Sequence, residues 1–183
     1  DVQEFMVMPH GFDSFAEGLR AGVETYHSLK AELKADGLLG GVGDEGGFCP
    51  NLPANEEGLK YMVRAIEGAG YSTEEMGIAL DVAATEFHHD DGYHMDGGVL
   101  SSEDLADVYS GWLDEYPIVS IEDGFGEDDW RGWTLFTKRE GHRVQTVGDD
   151  LFVTQSERLA QGIEIGAANA MLVKLNQVGT VTE

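Results

Sequence analysis

The stretch PIVSIEDGFGEDDWRGWTLFTKREGHRVQTVGDD, residues 117–150, decides the predicted fold. It begins with an apolar run, continues through EDDWRGWTLFTKRE, which is typical of a helix, and ends in a second strand-like run, VQTVGDD. Strands this apolar are buried on both faces of a sheet, and a helix between two of them joins neighbouring parallel strands. The stretch therefore predicts one strand–helix–strand unit of a parallel α/β sheet.

The same alternation extends in both directions along the chain. GIALDVAA precedes the stretch as a strand, followed by SSEDLADVYSGWLDEY as a helix that opens with a Ser-x-x-Asp cap. SERLAQGIEIGAA then predicts a helix, and AMLVKLNQ predicts a strand. No fixed-period repeat or low-complexity linker interrupts residues 1–183, so we expect them to belong to one domain.

The first part of the chain supplies a further strand and two helices. VQEFMVMP, residues 2–9, is strand-like, and residues 13–36 predict an amphipathic helix because apolar residues recur every three or four positions. These apolar residues are Phe15, Leu19, Val23, Tyr26, Leu29 and Leu33. A glycine-rich loop, GLLGGVGDEGGFCPNLP, separates this helix from a second one predicted over residues 55–69.

Two architectures fit this alternation, a partial (β/α)8 barrel and a doubly wound open sheet. A dinucleotide-binding open sheet needs a Gly-x-Gly-x-x-Gly turn between an early strand and its helix, and the glycine-rich loop lacks that spacing. The barrel is favoured by the position of the polar residues. Four consecutive strands each end in one chemically useful group: Asp81, Glu122, Asp149 and Lys174.

The carboxyl ends of parallel barrel strands meet at one rim, where catalytic groups lie. A single acid after a strand is most often a helix cap or a loop residue, but three in succession, followed by a lysine in the next strand, favour function. The first strand adds Glu4, and the glycine-rich loop adds Glu45. Three converging carboxylates repel one another unless a cation joins them, and oxygen ligands without His or Cys favour Mg²⁺. The sequence thus predicts a magnesium site formed by Asp81, Glu122 and Asp149.

Lys174 is a charged residue within a strand that is predicted to be buried, between Val173 and Leu175. Burial disfavours an unpaired ammonium group, and a nearby Mg²⁺ disfavours it further. A neutral amine is a base, so Lys174 is predicted to be a general base beside the metal. By contrast, FHHDDGYHMD, residues 87–96, is interpreted as a solvated loop and not as a metal site, because its histidines lack helical ligand spacing.

The composition excludes several classes of protein. Acidic residues number 35 against 11 basic ones, giving a net charge of −24, so we expect no binding to nucleic acid or to an anionic membrane. The acids are scattered, as on the surfaces of proteins from salt-loving organisms. The single cysteine, Cys49, fits a reducing cytosol, and no apolar run is long enough to span a membrane.

The motifs QEFM, GDEGGF, SIED, EDDW, GDDLFVT and LVKLNQVGT occur in an order and at separations that resemble the enolase family. The resemblance covers essentially the whole chain, and GDEGG together with VKLNQVGT is highly specific. It implies the C-terminal barrel domain of enolase and the Mg²⁺-dependent dehydration of 2-phosphoglycerate to phosphoenolpyruvate. The acidic composition further resembles that of enolases from halophilic archaea.

The resemblance also implies a role for each motif residue. Lys174 would remove the proton α to the substrate carboxylate, and Glu45 would be the general acid that assists departure of the hydroxyl group. Gln3 and Glu4 would lie at the substrate, and Asp81, Glu122 and Asp149 would hold Mg²⁺. Use of a lysine or histidine base with Mg²⁺ is a general property of this superfamily.

The resemblance carries expectations about the whole protein as well. We expect residues 1–183 to be an internal fragment of the barrel, inactive alone, with the N-terminal α+β domain, the last barrel strands and the phosphate-binding residues outside it. The full-length protein is expected to be a homodimer or higher homo-oligomer in the cytoplasm, with cell-surface or secreted forms also known in the family. Gly124 stands where the family often has proline, which predicts a looser loop after Glu122.

Two other functions remain open from the sequence. Another member of the wider superfamily, such as a racemase or cycloisomerase, shares three carboxylates at strand ends but usually lacks GDEGG. A non-catalytic binding role is the alternative from a different class.

Overall fold

The computed structural model describes residues 1–180 and residue 182 as an α/β fold. Its strands, in chain order, are β1 (Glu4–Pro9), β2 (Gly41–Val42), β3 (Phe48–Cys49), β4 (Met76–Asp81), β5 (His88–His89), β6 (Gly92–Met95), β7 (Gly98–Leu100), β8 (Ile118–Glu122), β9 (Gln145–Gly148) and β10 (Ala170–Met171). Its α-helices are α1 (Phe15–Ala35), α2 (Asn55–Gly68), α3 (Ser102–Glu115), α4 (Trp130–Glu140), α5 (Ser156–Ile165) and α6 (Leu175–Val178). The main sheet has five strands in the order β1–β4–β8–β9–β10.

The centre of this sheet is buried on both faces. Successive side chains of a strand point to opposite faces, and both Ile78 and Ala79 of β4 are buried. Helix α4 contributes Trp133 and Phe136 to the core, and its first turn is capped by Asp129, which accepts a hydrogen bond from the Gly132 N–H. The apolar strand runs in the sequence therefore form the central strands, as predicted.

Strand β1 departs from the predicted parallel arrangement. β4, β8, β9 and β10 run parallel to one another, whereas β1 is antiparallel to its neighbour β4. Two helices, α1 and α2, lie between β1 and β4, so the chain returns to the sheet in the opposite direction. The reversal places Glu4, at the start of β1, directly opposite Asp81, at the end of β4.

Helix α1 forms as predicted, but part of its apolar face is exposed. Ser14 caps the helix by accepting a hydrogen bond from the Glu17 N–H. Leu33 is buried, while Phe15, Leu19 and Val23 are 86%, 56% and 49% exposed. Among the residues that the structure describes, no helix has the combined length and apolar character required to cross a membrane.

Residues 87–96 were expected to form a solvated loop, and this expectation is wrong in part. Their histidines are exposed, but the segment contains β5 and β6, which form a three-stranded antiparallel sheet with β7. Alternate residues of β6, Tyr93 and Met95, are buried, and the Tyr93 hydroxyl donates a hydrogen bond to Asp129 (2.8 Å). These apolar contacts order a segment whose polar composition indicates a loop.

The strand predicted over AMLVKLNQ is also shorter than expected. β10 ends at Met171, and the chain turns into the short helix α6 from Leu175. β9 is the one neighbour of β10 within residues 1–180, and Val173 and Leu175 are 61% and 89% exposed. Lys174 precedes α6 and is exposed, so its predicted burial within a strand is wrong.

Candidate functional site

A row of carboxylates crosses one end of the main sheet. Glu4, Asp81 and Glu122 are register partners on the adjacent strands β1, β4 and β8. Asp149 directly follows β9, the next strand. Because β4, β8 and β9 are buried and parallel, their apolar residues fix the positions at which these acids leave the sheet.

The acids form two clusters that share one member. One carboxylate oxygen from each of Asp81, Glu122 and Asp123 lies within 4.8 Å of the other two, and the same holds for Asp123, Asp149 and Asp150. Two of the predicted metal ligands, Asp81 and Glu122, are therefore in the first cluster, and the third, Asp149, is in the second. Oxygen ligands at this separation fit a hard divalent cation such as Mg²⁺.

Burial and mutual repulsion raise the pKa values of the first cluster. Burial raises the pKa of Asp81 to about 6, and the charges of Glu4 and Asp149 act in the same direction. Burial likewise raises the pKa of Glu122 to about 7, with a further increase from Asp81 and Asp123. When ionised, such carboxylates repel one another, and a bound cation would relieve this repulsion.

Asp123 is a residue of this site that sequence reasoning missed. Its two carboxylate oxygens accept hydrogen bonds from the backbone N–H groups of Asp149 (3.0 Å) and Asp150 (2.8 Å). Its φ of 42° lies in the left-handed region, and the side chain is buried. Asp123 thus joins the turn after β8 to the turn after β9. The second acid in SIED is the signal that could have identified it.

The looser loop predicted from Gly124 stays a prediction, but the loop is anchored at this residue. Gly124 is buried, and its carbonyl oxygen accepts a hydrogen bond from the Tyr109 hydroxyl (2.9 Å).

Lys174 contacts this site through Asp149. Its Nζ forms an ion pair with Asp149 Oδ2, while the lysine side chain remains 44% exposed. The hydrogen bond to Asp149 raises the pKa of Lys174 and outweighs the opposing effect of burial. This direction is opposite to the lowering predicted for an amine beside a metal ion.

Two further polar side chains hold Lys174 and Asp149 in place. The Gln177 amide donates to Asp149 Oδ1 (2.8 Å), and the Thr154 hydroxyl donates to Gln177 Oε1 (2.6 Å). The backbone N–H of Lys174 in turn donates to Thr154 Oγ1 (3.0 Å). The motifs GDDLFVT and LVKLNQVGT contain both residues, but no sequence pattern indicated that they meet.

Glu45 and Gln3 are not brought into this network. Glu45 is exposed in the turn between β2 and β3, and Gln3 is exposed just before β1. The β2–β3 hairpin is attached to α1, since the Tyr26 ring stacks on Phe48 and the Tyr26 hydroxyl donates to the Gly46 carbonyl (2.9 Å). Within residues 1–180, no hydrogen bond or ion pair joins Glu45 to the acidic clusters.

The chain is similar to known proteins along its whole length. The profile of the family described as "Enolase, C-terminal TIM barrel domain" matches residues 1–183. The chain is 54% identical over 186 residues to an enolase from a Nitratiruptor species, a match that covers all of this chain and 44% of that relative. The chain therefore spans less than half the length of this relative. Both findings agree with the resemblance inferred from the motifs and confirm the predicted barrel fold class.

Proposed function

Because the chain belongs to the enolase family and matches its C-terminal TIM barrel domain, we propose that the full-length protein dehydrates 2-phospho-D-glycerate to phosphoenolpyruvate with Mg²⁺. The observation that carries this proposal is that Asp81 and Glu122, half-buried and with raised pKa values, lie in one row with Asp149, the ion-pair partner of Lys174. Removal of a proton α to a carboxylate builds negative charge on the substrate, and a cation held by such a row is an effective counter-charge.

Asp81, Glu122 and Asp149 are the proposed ligands of Mg²⁺. Asp81 and Glu122 lie close enough to bind one ion, and Asp123 links them to Asp149 through a hydrogen bond of 3.0 Å to its backbone N–H. A bound Mg²⁺ would stabilise the negative charge that develops on the substrate carboxylate.

Lys174 is the proposed base that accepts the α proton. Its ammonium group is held at the rim by Asp149, and its backbone is held by Thr154. The hydrogen bond to Asp149 raises the lysine pKa, so proton acceptance requires that this bond weaken in the working enzyme. Use of the Asp149 carboxylate as a metal ligand would weaken it.

Glu45 is the proposed general acid, and Gln3 and Glu4 are proposed substrate-binding residues. Glu4 already lies opposite Asp81, but Glu45 must approach the rim for this role. Gly46, with φ of 90°, and Gly47 follow Glu45 directly, and glycine permits the backbone changes that such a movement requires. We propose that the β2–β3 hairpin closes over the substrate.

The remaining parts of the proposal concern the whole protein. We propose that residues 1–183 are part of a closed barrel. Such a barrel has eight strands, whereas the main sheet of the described residues has five. The exposed apolar residues of α1 offer a surface against which further elements could pack. Phe15, with 86% of its surface exposed, is the clearest example. A cytoplasmic homodimer or higher homo-oligomer is the assembly proposed for the full-length protein.

The full-length protein should be tested with 2-phosphoglycerate, following phosphoenolpyruvate by its absorbance with and without Mg²⁺. We expect turnover that depends on Mg²⁺ and stops on chelation. Absence of turnover in a correctly folded, Mg²⁺-loaded protein would contradict the proposed reaction. Turnover that persists after chelation would contradict the proposed role of the carboxylates.

A further inference from the structure

The hairpin formed by β5 and β6 places two histidines side by side on its exposed face. In this hairpin His88 pairs with Tyr93 and His89 pairs with Gly92. Side chains alternate between the two faces of a strand, so His89 and His94 lie on the face opposite buried Tyr93. Their ring centroids are 4.5 Å apart, at an interplanar angle of 64°.

A carboxylate in the turn of the hairpin is positioned to orient one of these rings. Asp91 Oδ1 lies 2.7 Å from His94 Nε2. Metal-binding histidines almost always donate their second ring N–H to a carboxylate, carbonyl or water, which fixes the ring and leaves the other nitrogen to bind the ion. With its proton on Nε2, His94 presents Nδ1 as a ligand atom.

The other face of the hairpin is firmly attached to the protein. The His88 ring stacks on Tyr93 with centroids 4.3 Å apart, and the Tyr93 hydroxyl accepts a hydrogen bond from the Gly126 N–H (2.9 Å). An open depression of about 650 Å³, lined by His88, His89, Asp90 and Asp91, lies beside it. The hairpin thus combines an anchored backbone with an open surface beside His89 and two acids that attract cations.

We propose that this hairpin binds one divalent transition-metal cation of the Zn²⁺, Ni²⁺ or Cu²⁺ class. The imidazoles of His89 and His94 are the protein ligands, Asp91 orients the His94 ring, and water completes the coordination. Imidazole favours these ions over Mg²⁺, so the chemistry of the site differs from that of the all-oxygen rim. Cu²⁺ is expected to bind most tightly, in keeping with the general order of divalent metal affinities.

The test is a titration of the full-length protein, produced without a histidine tag, with CuCl2 in the presence of saturating MgCl2. Electron paramagnetic resonance of the bound Cu²⁺ should show two nitrogen ligands. His89→Ala and His94→Ala should each remove the two-nitrogen signal, and Asp91→Ala should weaken binding by about tenfold. His142→Ala removes an exposed histidine from the turn after α4 and should leave this signal unchanged.

Circular dichroism establishes that each variant is folded, which is expected because both histidines are exposed. The proposal is overturned if either His89→Ala or His94→Ala retains the two-nitrogen signal with the affinity of the wild-type protein. It is also overturned if His142→Ala abolishes that signal. Repetition with ZnCl2 by calorimetry should give the same order of variants, and a different order would contradict a shared site.

Discussion

The carboxylates at the centre of the sheet and the amine at its edge are held by different forces. Asp81 and Glu122 leave strands that have a neighbour on each side and apolar residues buried on both faces. Lys174 follows β10, at one end of the strand order, and its position depends on hydrogen bonds to Asp149 and Thr154. The centre is therefore positioned by packing and the edge by a few polar contacts.

This difference has a consequence for the proposed reaction. Positions fixed by packing tolerate a change of the terminal carboxylate without loss of the fold, because the strand beneath remains buried. Positions fixed by hydrogen bonds are sensitive to the loss of a single hydroxyl or amide. Substitutions at the two regions should therefore separate metal binding from placement of the base.

The largest effect is expected at the edge, for Lys174→Ala in the full-length protein. Loss of a general acid or base typically lowers the rate by about 10²–10⁴-fold, and we expect kcat for 2-phosphoglycerate to fall within or beyond that range. Mg²⁺ affinity should change much less, because an amine is not a ligand of Mg²⁺. Steady-state assays of phosphoenolpyruvate formation measure kcat, and a Mg²⁺ titration measures the affinity for the ion.

Lys138→Ala is the matched control, since Lys138 is an exposed lysine on α4. Near-normal turnover by Lys174→Ala, or an equal loss in Lys138→Ala, would remove Lys174 from the proposed mechanism.

A smaller effect, on stability, is expected at the centre and depends on pH. A carboxyl group with a raised pKa in the folded state stabilises the fold below its unfolded pKa, and this contribution is lost as the pH rises through the folded pKa. For Glu122 the loss extends from 4.5 to about 7, and burial of Asp81, whose pKa is raised to about 6, acts in the same sense. Mg²⁺ should offset this loss, so its effect on Tm should be greater at about pH 8 than at about pH 5.

Glu122→Gln should reduce this pH dependence, because the neutral amide removes one of the repelling charges. Differential scanning fluorimetry with and without Mg²⁺ measures the effect. A Mg²⁺-induced gain in Tm that is equal at both pH values would contradict a cation site at these carboxylates.

The smallest effect is expected from Thr154→Val, which keeps the shape of the side chain but removes its hydroxyl. The variant loses the hydrogen bonds of Thr154 to Gln177 and to the Lys174 backbone. Residues that orient a ligand of a metal site typically contribute about tenfold or more, so we expect kcat to fall by about tenfold with little change in Tm. Steady-state kinetics and thermal unfolding provide the measurements.

Thr154→Ser retains the hydroxyl and should restore most of the rate. Thr134→Val removes a hydroxyl that donates to the Trp130 carbonyl within α4, and is the control. A loss in Thr154→Ser as large as that in Thr154→Val would indicate a packing defect and argue against a positioning role.

The sequence predicted strands best where both faces of the strand are buried. Strands ending at Asp81 and Glu122 were predicted because their apolar residues are buried whichever way they point. Lys174 was predicted to lie inside a strand on the same reasoning, but β10 ends three residues earlier, at Met171. An apolar sequence continues as a strand only where a partner is available, and this condition is not contained in the sequence of the strand itself.

Contacts between segments distant in the sequence were harder to predict than the helices and strands themselves. The bonds of Asp123 to the turn after β9, and of Gln177 to Asp149, join residues 26 and 28 positions apart. The hairpin around Tyr93 was missed for a similar reason, since its order depends on Asp129 and Gly126. Local composition cannot indicate such partners. Roles for Glu45 and Gln3 stay predictions, as the structure does not bring them to the rim.

The reversed direction of β1 bears on how active sites of barrel proteins are located. A survey that examines only the last residue of every strand would select Pro9 in β1 and pass over Glu4, which stands at the other end. The direction of a strand in the sheet decides which of its two ends lies at the rim with the acids. In protein engineering, a carboxylate grafted onto this strand by analogy with its parallel neighbours would therefore emerge on the side of the barrel that serves stability.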